Sequence, residues 1–176
     1  MPSVFHESVA AGINTDITDW FKDVREGRAE YNGRVCSDKK TMDTAGQMRA
    51  KLATTVKLTK GDASDKRDPD LSFRIQHPSC RSPGLVVEVA WSQRGLKLPR
   101  LAERYITETN GNIRTVIGLN LNDIYKSRQN EGASPEPATF SVWQAETDSI
   151  SGKARLINPV KDQVRLLFVL QTVLIG

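Results

Sequence analysis

The sequence has few of the residues that build zinc or disulfide sites. Its 176 residues include only two cysteines, Cys36 and Cys80, and two histidines, and no Cys-x-x-Cys pair occurs. A structural zinc ion needs four closely spaced cysteine or histidine ligands, so the sequence argues against such a site. We expect the two cysteines to be reduced thiols.

Several catalytic and targeting motifs are also missing. Gly152-Lys153 lacks the preceding glycine and the following Ser or Thr of a phosphate-binding loop, and no Gly-x-Ser-x-Gly nucleophile elbow occurs. The N-terminus has no basic segment followed by an apolar one, and no Asn-x-Ser/Thr acceptor is present. We therefore expect an intracellular protein, in the cytoplasm or the nucleus.

No apolar run is long enough to span a bilayer as a helix, which takes about 20 residues. The most apolar segment, residues 164–175, is predicted to be a buried closing strand. If it stays unpaired, it could join two copies of the chain, as could an open sheet edge. We expect no membrane partner, and the oligomeric state stays open.

The length and the charge set the remaining limits. The chain is long enough for one domain, residues 1–176, with a core of its own. Its net charge is +4 and its isoelectric point is about 9.2, which favours a polyanionic partner such as DNA or RNA.

The N-terminal part is predicted to be a helical segment, residues 16–58. Trp20, Phe21 and Val24 share one helical face, and Thr15-Asp16 or Thr18-Asp19 could cap a helix that runs to about Glu30. A second amphipathic stretch, residues 45–56, could be another helix. Residues 59–69 alternate in charge and are predicted to be a loop, and residues 1–15 to be irregular.

The predicted core, residues 65–145, alternates strands with a helix. An apolar helix between two apolar strands favours parallel pairing, so we predict an α/β (α+β) fold with a central mixed sheet of about four to six strands flanked by helices. Pro99 suits the first turn of that helix, and Asn110-Gly111-Asn112 would end it. The predicted strands are residues 71–75, 85–91, 113–121, 139–144 and 154–157.

Glu88 is the one carboxylate inside the apolar strand of residues 85–91. Burial of an unpaired carboxylate costs several kcal/mol, so such a group needs a cation, a metal ion or a wet strand end. Asp70 begins the preceding strand. The sequence therefore predicts that Asp70 and Glu88 are two oxygen ligands of one hard cation, Mg²⁺ or Mn²⁺.

Two carboxylates with a divalent ion are the arrangement that a metal-dependent nuclease needs. The ion lowers the pKa of a bound water and polarises the phosphate, while a nearby Gln, Lys or Arg orients that water or neutralises the developing charge. Gln93 and Lys97 are our candidates for this last role. Arg94, Arg100 and Arg104 are candidates for contacts with the nucleic-acid phosphates.

Pro69-Asp70 and Glu88-x-Ala90, in this order of strands and helix, resemble the PD-(D/E)XK, or restriction-endonuclease-like, nuclease superfamily. Residues 65–145 are similar to a group of fungal, often uncharacterised, proteins of that fold. The resemblance implies a restriction-endonuclease-like core, Mg²⁺-dependent hydrolysis of phosphodiester bonds, and a helix before the sheet that could bring Glu26 or Glu30 as a third acid.

One departure from the superfamily pattern opens an alternative function. Ala90 stands where the family has its lysine, two residues after the Glu. Gln93 is an odd number of residues from Glu88 and needs a strand end or bulge to face the same side, which leaves Lys97 as the other candidate. Without either, the chain would be a degenerate nuclease-fold module that binds nucleic acid or a protein. We expect Tyr105 to be a core residue and assign no role to His6.

Overall fold

The computed structural model of the chain describes residues 4–31, 34–51, 54–60, 63–80, 82–91, 97–121 and 138–163. The helices in these ranges are α1 (Val4–Arg25), α2 (Lys39–Gln47) and α3 (Leu98–Thr107). The strands are β1 (Glu30–Tyr31), β2 (Arg34–Val35), β3 (Met48–Lys51), β4 (Val56–Lys60), β5 (Ala63–Arg67), β6 (Leu71–Ile75), β7 (Leu85–Ala90), β8 (Thr115–Asn120), β9 (Thr139–Thr147) and β10 (Ala154–Gln163).

Six strands form one mixed sheet, which confirms the predicted α+β class. The strand order is β10-β9-β8-β7-β6-β3, and β4 with β5 and β1 with β2 form separate two-stranded hairpins. Within the six-stranded sheet β7 and β8 are parallel and every other neighbouring pair is antiparallel. The parallel pair is the one predicted from the apolar strand, helix and apolar strand of residues 85–121.

Helices cover both faces of the sheet because β7 is apolar on both sides. Val87 and Val89 pack with Ile13 and Ile17 of α1 on one face. Val86 points to the other face, where it packs with the apolar side of α3 and with Trp143. Side chains alternate between the two faces of a strand, so Glu88 shares the α3 face with Val86. The sheet therefore forms the middle of three layers, with Glu88 under α3.

Helix α1 is longer than predicted and starts earlier. Residues 4–15, which we expected to be irregular, are helical, because Val9, Ala10 and Ile13 continue the buried face of Ile17 toward the N-terminus. The helix ends at Arg25, not near Glu30. Gly27 follows with a φ of +66°, a left-handed conformation that glycine adopts without a steric penalty.

The segment 16–58 is not helical throughout, and residues 59–69 are not a plain loop. α2 ends at Gln47, and β3 follows it directly, so the predicted helix of residues 45–56 is wrong. Val56 and Leu58 are buried and Lys57 is exposed, an alternation of period two that forms β4 of a hairpin with β5. The apolar spacing of residues 45–56 fits both a helix and a strand, and packing against α3 selects the strand.

The remaining predicted strands and the helix of residues 98–107 are confirmed. β6, β7, α3, β8, β9 and β10 lie where the sequence predicted them, with shifts of a few residues at their ends. Pro99 is in the first turn of α3, and Gly111, with a φ of +71°, follows the helix. None of the helices in the described ranges is long and apolar enough to cross a membrane. Residues 164–175, the predicted closing strand, lie outside the described residues.

Gly118 in β8 permits a close contact between the sheet and Trp143. A Cβ atom at this position would lie 2.7 Å from Trp143 Cζ3 and 3.2 Å from Leu98 Cδ1. We expect Gly118→Ala to lower the free energy of unfolding by about 1–3 kcal/mol, since a buried indole cannot move aside without repacking. Urea unfolding of both proteins measures this difference.

The matched control is Gly12→Ala in α1, where a Cβ atom would have no neighbour within 4 Å. This change should raise the free energy of unfolding by about 0.5–1 kcal/mol, because alanine suits a helix better than glycine. Equal stability of Gly118→Ala and the wild type would contradict the proposed close packing at β8.

Candidate functional site

Asp70 and Glu88 lie side by side at one edge of the sheet. Leu71 of β6 pairs with Val87 of β7, and Asp70, in the bend before Leu71, lies close enough for its charge to act on Glu88. β7 and β8 are parallel, and Glu88 lies near the carboxyl end of β7. In open α/β sheets, ligands bind in the crevice outside such strand ends. The register and the charge effect support the prediction that the two carboxylates lie near each other. Their role as metal ligands stays a prediction.

Two groups fix the orientation of the Asp70 carboxylate. The backbone N–H of Val89 donates a hydrogen bond of 2.6 Å to Asp70 Oδ2. His6 of α1 brings its Nε2 to 3.3 Å from Asp70 Oδ1 and to 3.1 Å from the carbonyl oxygen of Val89. Both neighbours of Nε2 are acceptors, so this nitrogen carries the hydrogen. α1 is therefore tied to the end of β7 and to Asp70 at once.

Glu88 is only 8% exposed, and α3 supplies its main hydrogen-bond donor. The hydroxyl of Tyr105, itself fully buried, donates to Glu88 Oε1 at 2.6 Å. The described residues provide no donor to Oε2. Tyr105 reaches Glu88 because it belongs to the apolar face of α3 that lies on this side of the sheet, with Ala102 and Ile106. One oxygen of Glu88 is therefore held, and the other is open to a ligand.

Burial raises the pKa of Glu88 from its ordinary value of 4.5 to about 7. The hydrogen bond from Tyr105 acts against this increase, the negative charge of Asp70 adds to it, and the positive charge of Arg67 opposes it. Two carboxylates that repel each other in a site with little water would both be stabilised by a cation between them. At neutral pH Glu88 is poised between its two protonation states.

Arg67 is brought to the site by the β4–β5 hairpin. Val56 and Leu58 of β4 pack against α3, and Asp65 of β5 accepts a hydrogen bond of 3.0 Å from Arg104 of that helix. This ion pair anchors the hairpin next to Tyr105. The charge of Arg67 lowers the pKa of both Glu88 and Tyr105, so the field of this cation reaches Glu88.

A cleft of about 350 Å³ lies on the α3 side of β7 and β8, and we name it the Trp143 pocket. Its walls include Ala90, Lys97, Arg100, Gly118 and Trp143. Gly118 is the register partner of Glu88 across the parallel pair, so the base of the pocket lies one strand, about 4.8 Å, from Glu88. The site therefore combines two carboxylates with a neighbouring pocket that carries cations at its mouth.

The donor set suits a hard divalent ion in part. Each carboxylate oxygen can accept more than one contact, so Asp70 and the open Oε2 of Glu88 keep lone pairs for a metal ion. Mg²⁺ commonly binds proteins through one or two carboxylates and takes its other ligands from water and substrate phosphates. In the described part of the chain, no group of three or more His, Cys, Asp or Glu side chains forms a metal cluster. The residues therefore fit an ion that shares its ligands with a substrate.

The other predicted site residues divide into three groups. Lys97 is exposed, precedes α3 and lines the Trp143 pocket together with Ala90, the position of the missing lysine. Arg100 is exposed and lines the same pocket. Arg104 was predicted to contact phosphates, but its guanidinium already forms ion pairs with Glu108 and Asp65. Gln93 and Arg94 lie outside the described residues.

Glu26 and Glu30, the acids considered as a third ligand, follow the C-terminal end of α1, whereas its N-terminal end contacts Asp70. His6, near the start of the helix, contacts Asp70, whereas Glu26 follows the end of the helix. Twenty residues of helix separate them, a rise of about 30 Å. Glu26 pairs instead with Arg25 and Arg28. Glu30 is exposed in β1, further along the chain. The N-terminal helix brings a histidine to the site, not an acid.

Sequence reasoning missed His6, Tyr105 and Arg67 as neighbours of the carboxylates. His6 was in a segment predicted to be irregular, and Arg67 in one predicted to be a loop. Tyr105 was correctly predicted to be buried, and its position on the apolar face of α3, above the strand that carries Glu88, was the available signal for its hydrogen bond. Nothing in the sequence near His6 or Arg67 indicates their long-range contacts.

The raised pKa of Glu88 predicts a specific dependence of stability on pH in the metal-free protein. Between about pH 4.5 and pH 7 the folded state binds more protons at Glu88 than the unfolded state, so the free energy of unfolding falls as the pH rises through this window. The total change is about 3 kcal/mol. Urea unfolding with a chelator, at several pH values, measures it.

Glu88→Gln should remove this part of the pH dependence, because glutamine does not titrate. Glu103→Gln, which changes an exposed acid of α3, should leave it in place. A wild-type protein whose pH dependence matches that of Glu88→Gln would show that Glu88 does not carry the effect.

Comparison of the chain with known protein families, with curated proteins and with solved structures finds no match. The chemical interpretation of the site therefore depends on the residues and on their geometry.

Proposed function

We propose that the chain is a Mg²⁺-dependent nuclease-like hydrolase that cleaves phosphodiester bonds in nucleic acid, with Asp70 and Glu88 as the metal ligands. The observation that carries this proposal is the pairing of the buried Glu88 with the half-buried Asp70 at the carboxyl end of β7, where burial and the charge of Asp70 raise the pKa of Glu88. The order of α1, β6, β7, α3 and β8 agrees with the resemblance to the PD-(D/E)XK superfamily.

The protein residues would divide the work as follows. Asp70 is held by Val89 N–H and His6, and Glu88 by Tyr105, so both carboxylates are oriented before a ligand arrives. A divalent ion bound there would lower the pKa of a coordinated water and neutralise phosphate charge. The pKa of about 7 belongs to the metal-free protein, and a cation bound to Glu88 would lower it and hold the side chain as a carboxylate.

The superfamily has a lysine where this chain has Ala90. In this proposal two other cations can take the place of that lysine. Lys97 lines the Trp143 pocket beside Ala90, and its flexible side chain can reach a phosphate in that pocket. Arg67 acts from the hairpin side, where its charge already reaches Glu88. Either cation would stabilise the negative charge that develops on a phosphate during hydrolysis. Gln93, which carries no charge, stays a candidate for orienting the attacking water.

The nucleic-acid partner is part of the same proposal. Lys97 and Arg100 border the pocket next to the carboxylates, and the chain carries a net charge of +4. These charges would hold the phosphates of the strand on either side of the cleaved bond. The two free cysteines favour a reducing compartment, so we place the protein in the cytoplasm or nucleus.

The decisive experiment measures Mn²⁺- and Mg²⁺-dependent cleavage of labelled DNA and RNA, single- and double-stranded. We expect wild-type cleavage, and a loss of at least about 100-fold in Asp70→Asn and in Glu88→Gln, because each variant removes one charged metal ligand. Calorimetric titration with Mn²⁺ should show weaker metal binding in both variants.

Asp68→Asn is the matched control, because Asp68 is exposed and belongs to the same Asp-Pro-Asp sequence. It should cleave like the wild type. Wild-type protein that binds no Mn²⁺ and cleaves none of the four substrates would refute the enzyme proposal.

A second candidate function is a non-catalytic module that binds nucleic acid. Ala90 favours it, since the usual lysine is missing, and so does the hydrogen bond of Tyr105, which already occupies one oxygen of Glu88. In this case binding would need the cations of the Trp143 pocket but no metal ion.

This module should bind a labelled oligonucleotide in the presence of a chelator, with an affinity that falls steeply as salt rises, because bound counterions are released. We expect Arg100→Gln to reduce the slope of log K against log salt by about one. Lys22→Gln, at the far end of α1, should leave the slope unchanged. Salt-independent affinity, or equal slopes in all three proteins, would exclude this mode of binding.

A further inference from the structure

A second and larger cavity lies at the opposite edge of the sheet from Asp70 and Glu88. Its volume is about 520 Å³, within the range of small-molecule sites. Leu85 and Thr115, the first residues of the parallel strands β7 and β8, line it, as do Trp20 and Val24 from the last two turns of α1. The two cavities are therefore at opposite ends of β7 and β8, and α1 lines this second one.

The inner wall of this cavity is apolar and includes an aromatic pair. Trp20 and Phe21 both line it and contact each other edge to face, with 5.5 Å between ring centroids. Met48 and Ile75 extend the apolar wall along β3 and β6. Such a surface suits a flat, ring-bearing apolar group.

Trp20 presents its ring, and not its N–H, to the cavity. The indole Nε1–H is buried and makes no hydrogen bond within the described structure. An atom without accessible surface cannot meet a ligand in an open cavity, so Trp20 contributes its apolar face to the wall.

The rim of the cavity is positively charged. Arg114 is exposed, lines the cavity and forms no ion pair with any described residue. Lys40 lies on the opposite side of the rim, near Asp38. Asp38 is engaged elsewhere, since its carboxylate accepts the Thr41 backbone N–H and caps α2. Arg114 is therefore the cation best placed to hold an acidic group.

We propose that this cavity binds a small amphipathic anion, with an aromatic body against Trp20 and Phe21 and a carboxylate or sulfonate on Arg114. The apolar wall selects the body, the rim selects the charge, and the concave shape between α1, α2 and the sheet selects a small molecule. This site is separate from Asp70 and Glu88 and does not depend on the nuclease proposal.

A pair of fluorescent probes tests the charge and the shape together. The anion 8-anilinonaphthalene-1-sulfonate should bind the folded protein at one site, with increased probe fluorescence. The uncharged N-phenyl-1-naphthylamine has a similar ring system and should bind about tenfold more weakly, because it lacks the group that pairs with Arg114. Each titration is repeated at several protein concentrations.

Two substitutions locate the site. Arg114→Gln should weaken binding of the anionic probe about tenfold and leave the neutral probe unchanged. Thr44→Trp, at an exposed helical position on the cavity wall, should block both probes. Thermal unfolding of each variant checks that it is folded.

Two matched controls distinguish this cavity from general surface binding. Lys57→Gln removes one exposed positive charge outside the cavity, and Asp43→Trp adds a tryptophan to α2 at a neighbouring exposed position. Both should bind the probes like the wild type. Equal binding of the anionic probe by Arg114→Gln and the wild type would overturn the proposal. So would an affinity that changes with protein concentration, which would indicate that a second copy of the chain covers the cavity.

Discussion

The burial of one carboxylate constrains the structure on the α3 face of the sheet. Glu88 occupies a strand position that would normally hold an apolar residue, and only 8% of it is exposed. A charged group in such a place needs donors or cations from neighbouring elements. Tyr105 supplies a donor from α3, and Arg67 supplies a positive charge from the hairpin. The positions of α3 and of the β4–β5 hairpin are thus linked to the solvation of the Glu88 carboxylate.

Asp70 connects this arrangement to the other face of the sheet. It accepts a hydrogen bond from Val89, and His6 contacts both Asp70 and the carbonyl of Val89. Because α1 packs on the face opposite α3, the end of β7 is held from both sides. Restraint of this kind orients a pair of carboxylates for a ligand, and the pair repels itself until a proton or a cation arrives.

The two cavities differ in the chemistry that they offer. The Trp143 pocket lies one strand from Glu88 and has Lys97 and Arg100 at its mouth. The cavity beside Trp20 is larger, has an apolar wall and carries Arg114 and Lys40 at its rim. The two cavities lie at opposite ends of the parallel strands β7 and β8. In the two proposals, the carboxylate end binds a charged polymer and the other end binds a compact amphipathic molecule.

Local sequence patterns determined the class of the fold and indicated that Asp70 and Glu88 lie close together. The apolar runs of β7 and β8 with α3 between them fix a parallel pair, and period-two alternation fixes β6, because these signals depend on neighbours in the chain. The same reasoning failed for residues 45–58, whose apolar spacing fits a helix and a strand equally well. Only tertiary packing brought His6, Arg67 and Tyr105 to Asp70 and Glu88. Tyr105 is 17 residues from Glu88 along the chain, and His6 is 83 residues from Val89, whose carbonyl it contacts. Arg67 belongs to a separate hairpin. Such contacts are decided by how helices and hairpins pack on the sheet, and the sequence around each residue carries no record of that packing.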